Sequence, residues 1–259
     1  MKIVMKIVDH IIALDHEGAL LADTAARTDP AAPVPTCPQW QLRDLVLHTG
    51  RVHRWATAHL RHAHPVRLDR AGERAAWGPD PSDHVLVDWF RAGHAALVET
   101  FKAAPDDLDC WTFLPAPGPL AFWARRQAHE TAVHRIDAEA AAGIRGPEVA
   151  AELALDGIDE LLHGFMAHAR AGAVRSEEPR TVLVRPTDGP GSWLVGIGPG
   201  PLTVSSPAAA GAQADLVLDG RACDLYLLLW NRPPAGRVEL TGDGALLDLW
   251  REQAAVVQD

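Results

Sequence analysis

Apolar positions follow a period of about 3.6 from the start of the chain to near Glu177, and a period of two beyond it. Ile11, Leu14, Leu20, Leu21 and Ala25 predict a first amphipathic helix from Ile7 to about Arg27. The segment TDPAAPVPTCPQW cannot continue it, because Pro30, Pro33, Pro35 and Pro38 force an extended connection. A second helix, about Gln39 to Leu60, carries Leu42, Leu45, Val46, Val52, Trp55 and Ala56 as its stripe. A polar loop with Pro65, Gly72, Gly78, Pro79 and Pro81 precedes a third helix, capped at Ser82 or Asp83 and reaching about Ala103. The fourth helix starts after Gly118 at Pro119 and stops at Gly143. The fifth spans about Pro147 to Ala171, with Glu148 suiting the positive end of its dipole. Short strands then follow at Thr181 to Arg185, Ser192 to Ile197, Leu202 to Ser205, Ala214 to Leu218 and Arg237 to Leu240. Helices at Cys223 to Trp230 and Gly244 to about Val256 interrupt them.

This order predicts an α+β protein of two domains, a helical one over residues 1–175 and a small α+β one over 176–259, meeting in the polar turn Gly172 to Pro179. Composition changes that picture little. With 47% hydrophobic and 22% charged residues the chain is ordinary for a globular protein, and its net charge of -10 with scattered basic residues excludes a continuous cationic surface for nucleic acid. No membrane association is expected. Cys37, Cys110 and Cys223 are far apart and form no CxxC, so neither a disulfide framework nor a thiolate zinc site is implied, and a cytoplasmic location fits best. The start MKIVMKIVDHII is broken by Asp9 and His10 and lacks a small-residue cleavage site, so no signal peptide is expected.

The chemistry gathers in HETAVHR on the fourth helix. Glu130 and His134 are four residues apart and leave one face a turn apart, so they can share a metal ion. His129 and His134 are five apart, about 140° around the helix, and cannot. This separates the motif from HExxH, in which the Glu is a base; here it would be a ligand. A generic acid and His pair at this spacing is usually a solvated surface pair. Ala128, Ala132 and Val133 make this stretch apolar, and an unpaired carboxylate there would be costly. On the second helix His48 and His53 lie at opposite edges of the apolar stripe, so periodicity does not choose between them as a third ligand. His10, His16, His59, His62 and His64 read as surface or loop residues. Trp40 and Trp55 read as core, Trp123 and Trp230 as core or pocket lining, and the three cysteines as buried or idle. Arg125, Arg126 and Arg135 read mostly as solvated, whereas Asp137, three residues past His134, could orient its ring.

VPTCPQWQLRDLVLHTGRVHRW and RRQAHETAVHRIDAEAA resemble the two signature segments of the mycothiol-dependent maleylpyruvate isomerase family, a branch of the DinB-like metal-binding four-helix bundles. ADLVLDGRACDLYLLLWNR and VELTGDGALLDLW resemble its sterol-carrier-like C-terminal domain. The resemblance implies an up-down four-helix bundle holding one divalent metal, usually zinc, through His48, Glu130 and His134, with His53 the alternative to His48. It also implies a catalytic arginine at Arg232, with Arg221 competing. Mycothiol, a low-molecular-weight thiol, would be the cosubstrate for a small-molecule substrate, in a monomer or homodimer. The implied reaction is cis/trans isomerisation by reversible thiolate addition to an enone. A mycothiol S-transferase acting on a reactive metabolite or xenobiotic is the first alternative, and a non-catalytic small-molecule binder the second.

Overall fold

The structure is a computed structural model that describes residues 5–167 and 174–254. The ends read from the sequence for the fifth helix, at 168–171, and for the last helix, at 255–256, lie outside them. The chain divides into two compact units, Lys6–Pro147 and a second that begins at Glu148.

Four long helices build the first unit: α1 (Ile7–Ala25), α2 (Leu42–His62), α4 (Leu86–Ala103) and α5 (Pro119–Ala141). Each touches two others: α1 lies against α4 and α5, and α2 against the same pair. They supply Leu14, Leu21, Leu45, Phe90, Leu97 and Trp123, all fully buried, and each such side chain contributes about 1.5–3 kcal/mol relative to exposure. Close approach needs small residues. A Cβ at Gly18 would strike the His94 ring and one at Gly50 the Trp89 ring. Pro119 opens α5, and Gly143, at φ 64, provides the left-handed residue that ends it.

A short helix α3 (Arg70–Trp77) stands where the sequence pattern reads as loop. None of its residues is buried, so it has no apolar stripe to detect. Its signal is a cap: Asp69 accepts a hydrogen bond from Gly72 N at 2.8 Å. The third bundle helix, α4, starts through a 3₁₀ turn, Asp83–Val85, in which Ser82 makes no side-chain cap.

In the second unit, α6 (Ala151–Asp159) runs on into a π-helical segment, Glu160–Met166. The sheet has the order β3-β2-β1-β4-β5, from β1 (Arg180–Pro186), β2 (Trp193–Ile197), β3 (Thr203–Ser205), β4 (Leu216–Gly220) and β5 (Glu239–Gly242). β1 and β4 pair in parallel and the other pairs are antiparallel. Alternation buries Trp193, Val195 and Ile197 of β2 and Leu216 and Leu218 of β4 on one face. α7 (Ala222–Leu229) links β4 to β5, and α8 (Ala245–Gln253) is tied to its end by Trp250 Nε1 donating to Leu229 O at 2.9 Å. α6 buries Leu153, Leu155 and Ile158 and packs on α7, so it groups with the sheet, whereas the sequence boundary at 175/176 left it in the bundle. Glu148, read as part of the helix start, instead pairs with Arg221 at 2.9 Å. The protein is therefore α+β, a four-helix bundle followed by a mixed-sheet unit.

Candidate metal centre

α5 is unlike the other bundle helices because polar side chains are buried on every side of it. Arg126, Gln127, His129, Glu130, His134, Arg135 and Asp137 are all buried. Buried polar groups must find partners, and these divide into two sets. Arg135 turns to α1, where its Nε donates to Glu17 Oε2 at 2.7 Å, while its Nη1 bonds the Glu139 carboxylate at 3.1 Å. Glu130 and His134 turn to α2.

There they meet His48. His48 Nε2 lies 3.1 Å and His134 Nε2 3.3 Å from Glu130 Oε1, and the three ligand atoms all fall within 4.8 Å of one another. With bonds of about 2.0–2.1 Å to a tetrahedral ion the edges between ligand atoms are about 3.3–3.4 Å. Two imidazoles and one carboxylate at these separations fit a divalent ion such as zinc. His53 does not join them: it is fully buried, with Nε2 2.9 Å from Thr131 Oγ1 and its ring against His94. Thr131 donates its own proton to Gln127 O at 2.7 Å, so the His53 nitrogen facing it is the donor. Burial, followed by the charge of His94, holds His53 well below the usual histidine range.

The surroundings of the triad are charged and hydrogen-bonded. Arg126 Nη2 donates to Glu130 Oε2 at 3.3 Å, on the carboxylate oxygen that faces away from the histidines. Burial, the largest influence on Glu130, favours its neutral form, but hydrogen bonds from His134 and His48 and the charges of His134 and Arg126 together hold it well below the ordinary carboxylate range. Burial likewise disfavours the His134 imidazolium. Hydrogen bonds to Asp137 and Glu130, and the charges of both carboxylates, outweigh it and raise His134 to about 9. Asp137 Oδ2 lies 2.9 Å from His134 Nδ1, which is the orienting contact the sequence spacing allows. Trp40 is only half-buried and its ring lies tilted against the two imidazoles, with centroids 4.9 Å from His48 and 5.9 Å from His134, so it walls the site rather than serving only as core.

Several other residues depart from the sequence reading. Arg126 and Arg135 are buried ion-pair partners, not solvated. Cys37 is not idle, since its Sγ lies 3.8 Å from Asp137 Oδ2. His59, read as a surface or loop residue, is fully buried against the rings of Trp55, Trp111 and Trp123. His10 is buried as well. In the second unit, Arg232 follows α7 and its Nη1 donates to Trp230 O at 2.8 Å. The competing Arg221 is engaged by Asp224 and Glu148, each at 2.9 Å. Arg126 was detectable in principle, because Arg126, Glu130 and His134 recur at four-residue steps on one helix face. Thr36, whose hydroxyl donates to Asp137 Oδ1 at 2.6 Å, and Trp40 were not, because their approach to α5 depends on the path of the proline-rich connection.

A His, Glu and His set, with His48 half-buried and Glu130 and His134 buried, joining two helices of a four-helix bundle that a mixed-sheet unit follows, defines a class of candidate metal-binding helical bundles. Within it, residues 12–139 match the mycothiol maleylpyruvate isomerase N-terminal domain and residues 152–249 the MDMPI C-terminal domain, so the chain belongs to the mycothiol maleylpyruvate isomerase family. Among solved structures it is similar to a mycothiol-dependent maleylpyruvate isomerase, with 11% identity, a TM-score of 0.61 and coverage of 92% of this chain and 93% of that one. A histidine-to-alanine mutant of a mycothiol-dependent maleylpyruvate isomerase is also similar, with 12% identity, a TM-score of 0.57 and coverage of 86% and 88%. At such identities these likenesses speak for the fold. A comparison with curated proteins finds no match. No helix among the described residues is long and apolar enough to cross a membrane.

Proposed function

We propose that this protein is a metal-dependent, mycothiol-using enzyme that isomerises a cis enone to its trans form. The observation that carries the reading is the convergence of His48, Glu130 and His134 in a chain of this family. Their two Nε2 atoms and Glu130 Oε1 would hold the ion, with zinc expected. Such an ion, bound by three protein ligands, supplies an open position and favours the thiolate form of a thiol.

The chain's own residues prepare the site. Asp137 holds the His134 ring through Nδ1, Arg126 balances the outer oxygen of Glu130, and Trp40 covers both imidazoles. In the isomerisation the cosubstrate's sulfur forms a bond to the β-carbon while the alkene electrons move to the carbonyl oxygen. The resulting single bond rotates, and collapse of the enolate restores the alkene and expels the thiolate, so nothing is consumed. Arg232 keeps the role that the family resemblance gives it, holding the substrate's carboxylate or enolate oxygen.

The test is metal analysis of the purified protein combined with an assay of mycothiol and maleylpyruvate. About one equivalent of zinc or a similar ion is expected, lost in Glu130→Ala and His134→Ala, together with conversion to the trans isomer. Full metal occupancy in both variants would remove the site. A stable thioether in place of an isomer would make the protein an S-transferase, and failure of any thiol to act or bind would make it a binding module.

A further inference from the structure

We infer that Thr36 and Asp137 are positioning residues for His134, which makes the proline-rich connection between α1 and α2 part of the ion site; the inference rests on the metal-site reading above. Asp137 is fully buried on α5, and its two carboxylate oxygens have different partners. Oδ1 accepts the Thr36 hydroxyl at 2.6 Å, and Oδ2 lies 2.9 Å from His134 Nδ1 and 3.8 Å from Cys37 Sγ. An ionised carboxylate can only accept, so the proton between Asp137 and His134 belongs to Nδ1. That assignment leaves Nε2, the nitrogen beside Glu130 and His48, to act as the ligand. Thr36 then has a defined task. It fixes the rotation of the Asp137 carboxylate, and the carboxylate fixes the angle of the imidazole plane.

The connection is built to hold Thr36 in place. Pro35 precedes Thr36, Pro38 follows Cys37, and the loop closes on itself through Cys37 N to Val34 O at 3.0 Å, Trp40 N to Cys37 O at 2.8 Å and Val34 N to Trp40 O at 3.0 Å. A bridge between Pro33 and Gln41 then ties it to the residue that opens α2. The loop that delivers Thr36 thus leads directly into the helix that carries His48, and on the way it lays Trp40 over both imidazoles. Fixed φ angles at the prolines lower the cost of keeping this arrangement. Thr36 and Asp137 are 101 positions apart in sequence, so their contact ties the connection that leads into α2 to the helix that carries Glu130 and His134.

The experiment uses the full chain and cobalt(II) or zinc alone, with affinity measured by chelator competition, geometry read from the cobalt visible spectrum, and folding checked by circular dichroism. Carboxylate partners of ligating histidines are typically worth 10–100-fold in metal affinity. Asp137→Asn is therefore expected to bind about 10–100-fold more weakly, Thr36→Val to weaken binding less and alter the cobalt spectrum, and Thr36→Ser to restore both. Wild-type affinity and spectrum in folded Thr36→Val and Asp137→Asn would overturn the inference. If His134→Ala loses cobalt while those two variants keep it, only this inference falls. If the wild-type chain takes up neither ion, the metal-site reading falls and carries this one with it. A measurement that needs no variant is the ¹⁵N spectrum of the zinc-loaded protein, where His134 should show a protonated Nδ1 and a ligated Nε2; the opposite pattern would overturn the proposal.

Discussion

Replacing Arg135 with methionine would leave two buried carboxylates without their cation. Arg135 is fully buried and donates to Glu17 at 2.7 Å, to Glu139 at 3.1 Å and to Pro147 O at 2.7 Å. Glu17 and Glu139 are only 3% and 5% exposed, so water cannot take the place of the guanidinium. Burial opposes the charge on Arg135, but the two glutamates more than compensate and hold it protonated. Breaking a buried ion pair from one side costs about 3–5 kcal/mol, because the remaining charge is uncompensated. Against a typical total of about 5–15 kcal/mol, the variant should be marginal. Urea unfolding followed by circular dichroism should show the midpoint falling at an unchanged slope. Adding Glu17→Gln and Glu139→Gln in the Arg135→Met background removes the stranded charge and should restore most of the loss. A loss below about 1 kcal/mol, far under the range for an uncompensated buried charge, would refute the reasoning. A triple variant no more stable than the single one would assign the loss to packing instead.

His59 provides a pH prediction. Burial, and after it the charge of His64, lowers it to about 4, although the backbone carbonyl of His64 acts the other way. The unfolded chain therefore binds a proton that the folded one refuses between about pH 6.5 and 4, and the stability present above that window is lost as pH falls through it, by at most about 3 kcal/mol. His59→Phe should flatten its share of the acid limb in melting curves taken across this range, and unchanged acid sensitivity would sink the idea. Gly18→Ala and Gly50→Ala should each cost about 1–3 kcal/mol by overpacking, because the added methyl meets a ring of α4 in both cases. Thermal melts that match wild type would show that these helix contacts can relax.

α1, α2 and α4 were legible because each carries a stripe, α5 because Pro119 and Gly143 bound it, and the inner strands because side chains such as Trp193, Val195 and Ile197 alternate inward. α3 was not, since nothing in it is buried. The pairing of Glu130 with His134 follows from helical spacing alone. Choosing His48 over His53 does not, because both lie at edges of one stripe and the choice depends on how α2 is rotated against α5. In the fold that rotation gives His53 to Thr131 and His48 to Glu130. The buried roles of Arg126 and Arg135 were hidden for a related reason. Arginine is usually solvated, and only the all-round burial of α5 reverses that expectation.

The contact between His48 and Glu130 joins positions 82 residues apart, and the segment between them contains α3, α4 and the long turn before α5. An ion held there would act as a clip on that loop, much as a cross-link does, and closing long loops is where such clips contribute most. Occupancy and folding would then be coupled by mass action, with an ion at a hundred times its dissociation constant adding about 2.7 kcal/mol. Chelation would thus do more than silence chemistry: it would loosen the seam between α2 and α5, and resistance to heat or protease would report how much ion the protein holds.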